Sequence, residues 1–447
     1  MTTGRARLRI AVVGAGPAGL YTADQLTFGS ENDATVDLFE RLPVPFGLLR
    51  YGVAPDHPTI KSSATTFQEI LDRPAVKLYC NVEIGRDLTV GELRDWYDAV
   101  VYATGADTDR RLGIGGEDLP GSISATEFVK WYNAHPEAES CDLSRVRTAV
   151  VIGAGNVALD VARILLKRPE SLHGTDIPTG VMNALETSAV TDVHLVARRG
   201  PEHAKFTTKE LREFNELPGV DVLVDGRQVP EADPDGISAV TRRNLGVLRS
   251  WARLGATGAP RRLHFHFASR PTRVVGETTV RAVHLESTAQ SLAADLVVRA
   301  IGYRSRPLPG VPYDESTGTI PHRDHRVQRN GSDSPGEYAV GWAKRGPSGT
   351  LGTNRGDAAD TVEAIIADRL PSHIEIAGPA VDDVLAQRGI CVLDKDSWAG
   401  IRKAEEELGA ASGRERVKIA RWDELVAAGR TPALSRYPDR SHVSISV

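Results

Sequence analysis

Two glycine patterns in this chain have the spacing that lets a backbone meet a phosphate. Residues 8–19 read LRIAVVGAGPAG, a short apolar run followed by Gly14, Gly16 and Gly19 as GxGxxG, with Pro17 and Ala18 inside the pattern. The first glycine permits a tight turn, the second lets a pyrophosphate approach, and the third lets helix and strand pack closely. The helical pattern LYTADQL follows and would offer the free N–H groups of its first turn. Glu40 closes the next strand, VDLFE, 21 residues past Gly19, where a carboxylate accepts hydrogen bonds from a ribose diol. The pattern returns in TAVVIGAGNVALDVAR, residues 148–163, with Gly153, Gly155 and Ala158 as GxGxxA around Asn156 and Val157. The strand that could end beside this second turn is VHLVA, residues 193–197, after a connection of about 30 residues. It ends in Arg198 and Arg199, where the first site has an acid. A carboxylate repels a 2′-phosphate, whereas planar guanidinium forks bind one. The first site therefore reads as FAD-binding and the second as NADP-binding.

Elements must carry these sites. DAVVYATGA (98–106) and DLVVRAIGY (295–303) each end an apolar run in a small-glycine turn, and each reads as the chain crossing between nested domains. The expected fold is α/β, with two nested Rossmann-like dinucleotide-binding domains, the FAD domain interrupted by the NADP domain. The boundaries are 1–108 for the first part of the FAD domain, 109–305 for the NADP domain and 306–447 for the second part. The last 75 residues read as a helical region without a chemical signal.

Composition narrows the class. A chain of 447 residues has room for roughly two to four domains. A net charge of −5 excludes a globally basic nucleic-acid binder but leaves room for local basic patches. The cysteines, Cys80, Cys141 and Cys391, form no CxxC, so nothing points to a redox disulfide or an iron–sulfur cluster. No apolar run approaches the roughly 18 residues of a membrane span. MTTGRARLRI is too short for a targeting peptide, and the expected compartment is the cytoplasm.

Three further stretches hold polar residues in constrained settings. In VAPDHP, Pro55 and Pro58 flank Asp56 and His57, and a residue before proline is expected to be extended. An imidazole held that way could face a site or could be an ordinary loop histidine. In FTTKELREF, Thr207 and Glu210 match a capping box, and Leu211, Phe214 and Leu217 form an apolar stripe. GWAKRGPSGTLGTN, 341–354, is glycine-dense and precedes the helical pattern DAADTVEAIIADRL, whose N-terminus could stabilise negative charge on a reduced flavin. TRRNLGVLRSWARLGATGAPRR places Arg242, Arg243, Arg249, Arg253, Arg261 and Arg262 within 21 residues without an acid. Arg242, Arg249 and Arg253 would share roughly one helix face there, either as a docking patch or as a solvated surface.

VPFGLLRYGVAPDHP (44–58), GNVALDVARILL (155–166), ARRGP (197–201), FTTKELRE (206–213) and GWAKRGPSGTLGTN resemble the adrenodoxin-reductase-like ferredoxin–NADP reductases over nearly the whole chain. The resemblance implies a flavoprotein passing electrons from NADPH through FAD, one at a time, to a separate ferredoxin, which could serve cytochrome P450 systems. It implies that His57 lies near the reactive end of the flavin and that Glu213 pairs with it across the domain interface. It further implies FAD contacts at Leu48, Ile84, Trp342, Gly349, Thr350 and Leu351. Glu210 and Gly349 would contact NADP, and the basic stretch would dock ferredoxin. Where many two-dinucleotide flavoproteins carry Gly-Asp, this chain has Gly341-Trp342, as the resemblance implies. The two fingerprints alone also admit an NADPH-dependent diaphorase or quinone reductase, or a non-catalytic NADP sensor.

Overall fold

The computed structural model describes residues 7–28, 34–286, 291–368 and 380–430. The chain forms two compact units, one of Met1–Val53, His57–Thr108 and Tyr303–Val447, the other of Ala54–Asp56 and Asp109–Gly302. The second unit thus interrupts the first, and a tripeptide from the first leg of the chain is counted with it.

The first leg runs β1 (Leu8–Val13), α1 (Pro17–Thr27), β2 (Ala34–Glu40), α2 (Gly47–Tyr51), β3 (Val76–Cys80) and β4 (Ala99–Tyr102). Ile10 and Val12 enter one core with Val36 and Leu38, and Ala11 and Val13 enter the opposite core with Phe39 and Tyr102. A strand buried on both faces must be apolar throughout, which is why β1 does not alternate.

The second unit holds β5 (Ser122–Ser124), β6 (Thr148–Ile152), α3 (Asn156–Leu166), β7 (Asp192–Val196), α4 (Thr208–Arg212), β8 (Val220–Val224), α5 (Ala239–Leu254), β9 (Arg261–His266) and β10 (Leu296–Arg299). Its main sheet is six-stranded, ordered β5-β10-β6-β7-β9-β8, and parallel throughout. The long connection before β7 is filled by a 3₁₀ turn, Pro169–Leu172, and a helix, Thr179–Glu186. Register then pairs Ile152 with Val196, so the end of β7 lies beside the second glycine turn.

The return leg adds β11 (His322–Arg323), β12 (Arg326–Arg329), β13 (Ser332–Ala339), α6 (Trp342–Arg345), α7 (Leu351–Ala367), α8 (Val381–Gln387), α9 (Lys395–Ala411) and α10 (Trp422–Gly429). The first unit's sheet becomes seven-stranded, ordered β11-β12-β13-β4-β1-β2-β3, with an antiparallel edge on a parallel centre. Two expectations are corrected here. The helix expected from Asp357 starts at Leu351, because Thr350 and Thr353 exchange capping bonds and pull its start upstream. The Thr207–Glu210 capping box is half formed. Thr207 accepts the Glu210 N–H at 3.3 Å, but the Glu210 carboxylate turns toward Arg163 instead of capping back.

The glycines of the two turns are under different constraints. A Cβ at Gly19 would lie 2.0 Å from the Gly14 carbonyl oxygen, whereas one at Gly155 meets nothing within 4 Å. Gly19→Ala should therefore lower unfolding free energy by about 3 kcal/mol. Gly155→Ala should change it by no more than about 0.5 kcal/mol. Urea titration of the two variants checks this, and equal midpoints would contradict the packing account.

Candidate functional site

The first cradle lies between β1, α1 and β2. Gly14 has φ +111°, and a Cβ there would sit 2.4 Å from the Ala103 carbonyl oxygen, so only glycine fits the turn. Gly16 is the N-cap of α1 and supplies no side-chain cap, with Pro17 next in line. The N–H groups of Ala18 and Gly19 belong to a helix end that has no protein acceptor of its own by geometry. Around Gly16 there is space: a Cβ would meet only the Gly47 Cα, at 3.8 Å. Glu40 closes the turn by accepting the Ala15 N–H at 2.9 Å and the Leu42 N–H at 3.0 Å. Burial raises its pKa, against the lowering by those two bonds. Its remaining lone pairs are the acceptors a ribose diol needs.

The other residues assigned to FAD by resemblance lie in the same unit. Leu48 is half-buried on α2. Ile84 is 4% exposed and packs into the core with Leu88 and Val90. Trp342 begins α6, donates from Nε1 to the Ser348 carbonyl at 3.0 Å and packs on Tyr303 with ring centroids 5.7 Å apart. Gly349, at φ +87°, and Thr350 are exposed directly before Leu351 at the start of α7. Sequence reasoning missed Asp357, one turn and a half into that helix. It accepts the Gly341 N–H at 2.6 Å, binds Arg345 at 2.6 Å and pairs with Lys344.

The second cradle repeats the geometry in the other unit. Gly153, at φ +156°, would carry a Cβ 2.2 Å from the Ala300 carbonyl oxygen. Gly155 caps α3 without a side-chain bond and faces open space. Ala158 is fully buried, its methyl accommodated where the first cradle requires Gly19. Val157 is half-buried, and Asn156 accepts the Thr207 N–H at 2.8 Å, which ties the turn to α4. Arg198 and Arg199 follow β7, both exposed, and neither guanidinium has a side-chain partner among the described residues. They lie two and three residues beyond the strand end, and planar guanidinium groups of this kind can bind an anion.

A buried charge cluster lies along α3. Arg163 is 1% exposed and holds Asp56 through Nε at 2.8 Å and Nη2 at 3.0 Å, Asp160 at 2.8 Å and Glu213 at 2.9 Å, with Glu210 at 3.6 Å. Lys167 reaches Asp56 at 2.8 Å. Burial would raise the Asp56 pKa, but Arg163 and Lys167 outweigh it and hold the carboxyl well below the usual range. Burial opposes the charge on Arg163, yet its acidic partners raise its pKa overall. The cluster places Glu210 and Glu213 on one guanidinium. His57, the residue after Asp56, belongs to the first unit, is buried and caps a short helix, Pro58–Lys61. Its φ of −109° and ψ of 67° are not the extended conformation expected before proline, because it opens that helix.

Comparison with known proteins fits these geometries. The sequence pattern of the pyridine nucleotide-disulphide oxidoreductases matches residues 8–245. The chain is 42% identical over 454 residues to the NADPH-ferredoxin reductase FprA of Mycobacterium tuberculosis, covering 94% of this chain and 98% of that protein. It is 36% identical over 460 residues to the mitochondrial NADPH:adrenodoxin oxidoreductase of Arabidopsis thaliana, covering 94% and 95%. The solved structure of M. tuberculosis FprA in complex with NADPH superposes with a TM-score of 0.87 at 41% identity, covering 95% of this chain and 100% of that one. The chain belongs to the pyridine nucleotide-disulphide oxidoreductase family. Within it, the chain is one of the adrenodoxin-reductase-like ferredoxin–NADP reductases, as the sequence motifs imply.

For a reductase of this family the basic stretch needs correction. Arg249 is only 19% exposed and is committed to the Pro230 carbonyl at 2.7 Å and to Asp233 at 2.9 Å. Arg242 shares Asp233, at 3.2 Å. Arg261 donates to the Leu166 and Lys167 carbonyls, and Arg262 is bidentate on Asp192 at 2.6 Å. The acids that neutralise the stretch lie outside it in sequence, which is why it read as uniformly basic. Arg243 and Arg253 remain exposed on α5 with no side-chain partner among the described residues.

The Arg163 cluster sets a pH dependence. A carboxyl depressed in the folded state adds stability above its unfolded pKa of about 4 and loses it as pH falls toward the folded value. Asp56→Asn should thus be less stable by about 3 kcal/mol at pH 7. The gap to wild type should stay constant down to about pH 5 and shrink below about pH 4. Denaturation at stepped pH measures it, and a gap that does not change with pH would contradict the assigned ion pair.

Proposed function

We propose that the chain is an FAD-dependent NADPH:ferredoxin oxidoreductase. The observation that carries the reading is the contrast between the two cradles: the acid Glu40 closes the first, and the exposed arginines Arg198 and Arg199 follow the strand beside the second. FAD suits the first, where Gly16 leaves room for a pyrophosphate and the strand-end acid can take a plain ribose. NADPH suits the second, where the open Gly155 turn receives the pyrophosphate and the arginine pair takes the 2′-phosphate. A cavity of about 530 Å³ lined by Gly200, Pro201, Gln228 and Phe267 opens next in sequence to that pair, large enough for the adenosine end.

A bound flavin supplies the one chemical capacity the chain lacks, taking two electrons as hydride and releasing them singly. The chain's residues bind and orient. We assign His57 and Glu213 to fixing the nicotinamide end, and Glu210 and Gly349 to its further contacts. Hydride transfer needs little proton movement in the same step, so His57 is assigned an orienting role. Leu48, Ile84, Trp342, Thr350 and Leu351 complete the flavin site, with the start of α7 stabilising negative charge on it. The acceptor is a separate acidic ferredoxin. Three free thiols suit a reducing compartment, and we read it as the cytoplasm. Among the described residues no helix is long and apolar enough to cross a membrane.

Replacing Arg198 and Arg199 together with glutamine tests the cofactor reading. Two lost charge-assisted contacts should weaken NADPH by about 10²- to 10⁴-fold and leave NADH nearly unchanged. Steady-state kinetics with both nucleotides decide it, and an undiminished preference for NADPH would refute the assignment.

The docking surface is narrowed to the unpartnered arginines of α5. Arg243→Glu with Arg253→Glu should slow ferredoxin-dependent turnover about tenfold at low salt and flatten its salt dependence. Ferricyanide reduction by NADPH, which needs no docked protein, should stay at the wild-type rate. Equal losses in both assays would move the docking site elsewhere.

A further inference from the structure

The C-terminal helices carry no motif, yet one of them reaches the first cradle through a continuous chain of contacts. Arg50 on α2 and Glu405 on α9 are a bidentate ion pair, with Nη1 to Oε2 at 3.1 Å, and the two side chains are 5% and 0% exposed. Glu405 also accepts the Ile419 N–H at 3.0 Å, and Lys418 Nζ donates to the Arg50 carbonyl at 2.7 Å. The Arg50 guanidinium lies 5.5 Å over the ring of Trp398, one helix face along α9. Trp398 in turn stands edge-on to Phe46, with centroids 5.5 Å apart and planes at 83°.

Phe46 is the sensitive point. It sits at φ +86°, a left-handed conformation that disfavours a bulky residue by about 1–3 kcal/mol. Phe67, at 5.9 Å, and Trp398 hold its ring. In that position its N–H donates to the Ala15 carbonyl at 2.8 Å, inside the glycine turn. It also delivers Gly47 against Gly16, where a Cβ on Gly47 would approach the Gly16 Cα to 2.9 Å. The strain at Phe46 and the buried charge at Arg50 both persist because α9 covers them.

We propose that α9 is a positioning element of the flavin site: Glu405 and Trp398 hold Arg50 and Phe46, and through them fix the Ala15–Gly16 turn that receives the FAD pyrophosphate. This rests on the reading that FAD occupies the first cradle. Neither residue touches the dinucleotide site directly. The consequence is that flavin retention depends on a helix, Lys395–Ala411, about 380 residues downstream of the turn it supports.

The test measures FAD dissociation constants of full-length variants by recovery of flavin fluorescence, alongside apoprotein melting temperature. Glu405→Gln should weaken FAD by about tenfold or more. Trp398→Phe, a milder change that still decides the matter if the first variant does not fold, should weaken it by about three- to tenfold. Val327→Ala, a truncation in the opposite core of the same unit, supplies a general loss of stability without touching α2. It should leave FAD affinity within about twofold of wild type, and NADPH affinity should be unchanged in all three. Gly16→Val should abolish FAD binding by filling the turn. If Gly16→Val loosens FAD but Glu405→Gln and Trp398→Phe do no more than Val327→Ala, the positioning role is wrong and the cradle reading stands. If Gly16→Val binds FAD normally, both fall.

Discussion

A pyrophosphate can bind to a helix end only if nothing stands between its oxygens and the first-turn N–H groups. That steric condition governs both units. At the first cradle Gly14 and Gly19 are fixed by backbone carbonyls 2.4 and 2.0 Å from where their Cβ atoms would lie, whereas a Cβ at Gly16 would meet only the Gly47 Cα, at 3.8 Å. At the second, Gly153 is fixed in the same way and Gly155 is open. Each turn therefore has a glycine imposed by folding and a glycine left free for a ligand. Neither Gly16 nor Gly155 supplies a side-chain cap, so the first-turn N–H groups at both ends are open to a pyrophosphate.

Charge then distinguishes the two. Glu40 is engaged by backbone donors of its own turn, so its orientation is set before any ribose arrives. Arg198 and Arg199 are the reverse, exposed and without a side-chain partner among the described residues. Elsewhere on the same unit Arg163, Arg249 and Arg262 are ion-paired and Arg261 is held by backbone carbonyls. What sets Arg198 and Arg199 apart is their place, at the end of the strand beside the second glycine turn, where planar guanidinium forks suit a phosphate.

What could be read in the sequence was what is local. The glycine turns, the strands before them, Glu40 and the arginine pair each lie within one supersecondary unit, so spacing alone places them. The interrupted order of the units followed from two matching strand ends, although the tripeptide Ala54–Asp56 joins the second unit against chain order. What sequence could not supply was partners brought together from afar. Asp56 and Arg163 are 107 residues apart, and Arg50 and Glu405 are 355 apart. Arg163 was visible only as a cation within the apolar stretch of α3, a signal that marks a buried ion pair without naming its acid. The same blindness made the stretch from Arg242 to Arg262 look uniformly basic, since Asp233 and Asp192 approach it from other segments. Helix starts shifted for local reasons, as Thr350 capping α7 shows.

The central claim is that the second cradle selects for a 2′-phosphate through Arg198 and Arg199. Calorimetric titration of the wild-type holoenzyme with 2′-phospho-ADP-ribose and with ADP-ribose isolates that group, because the two ligands differ in nothing else. The expected result is tighter binding of the phosphorylated ligand by about 100-fold or more, with the advantage shrinking as salt is raised. Equal affinity for the two ligands would contradict the account.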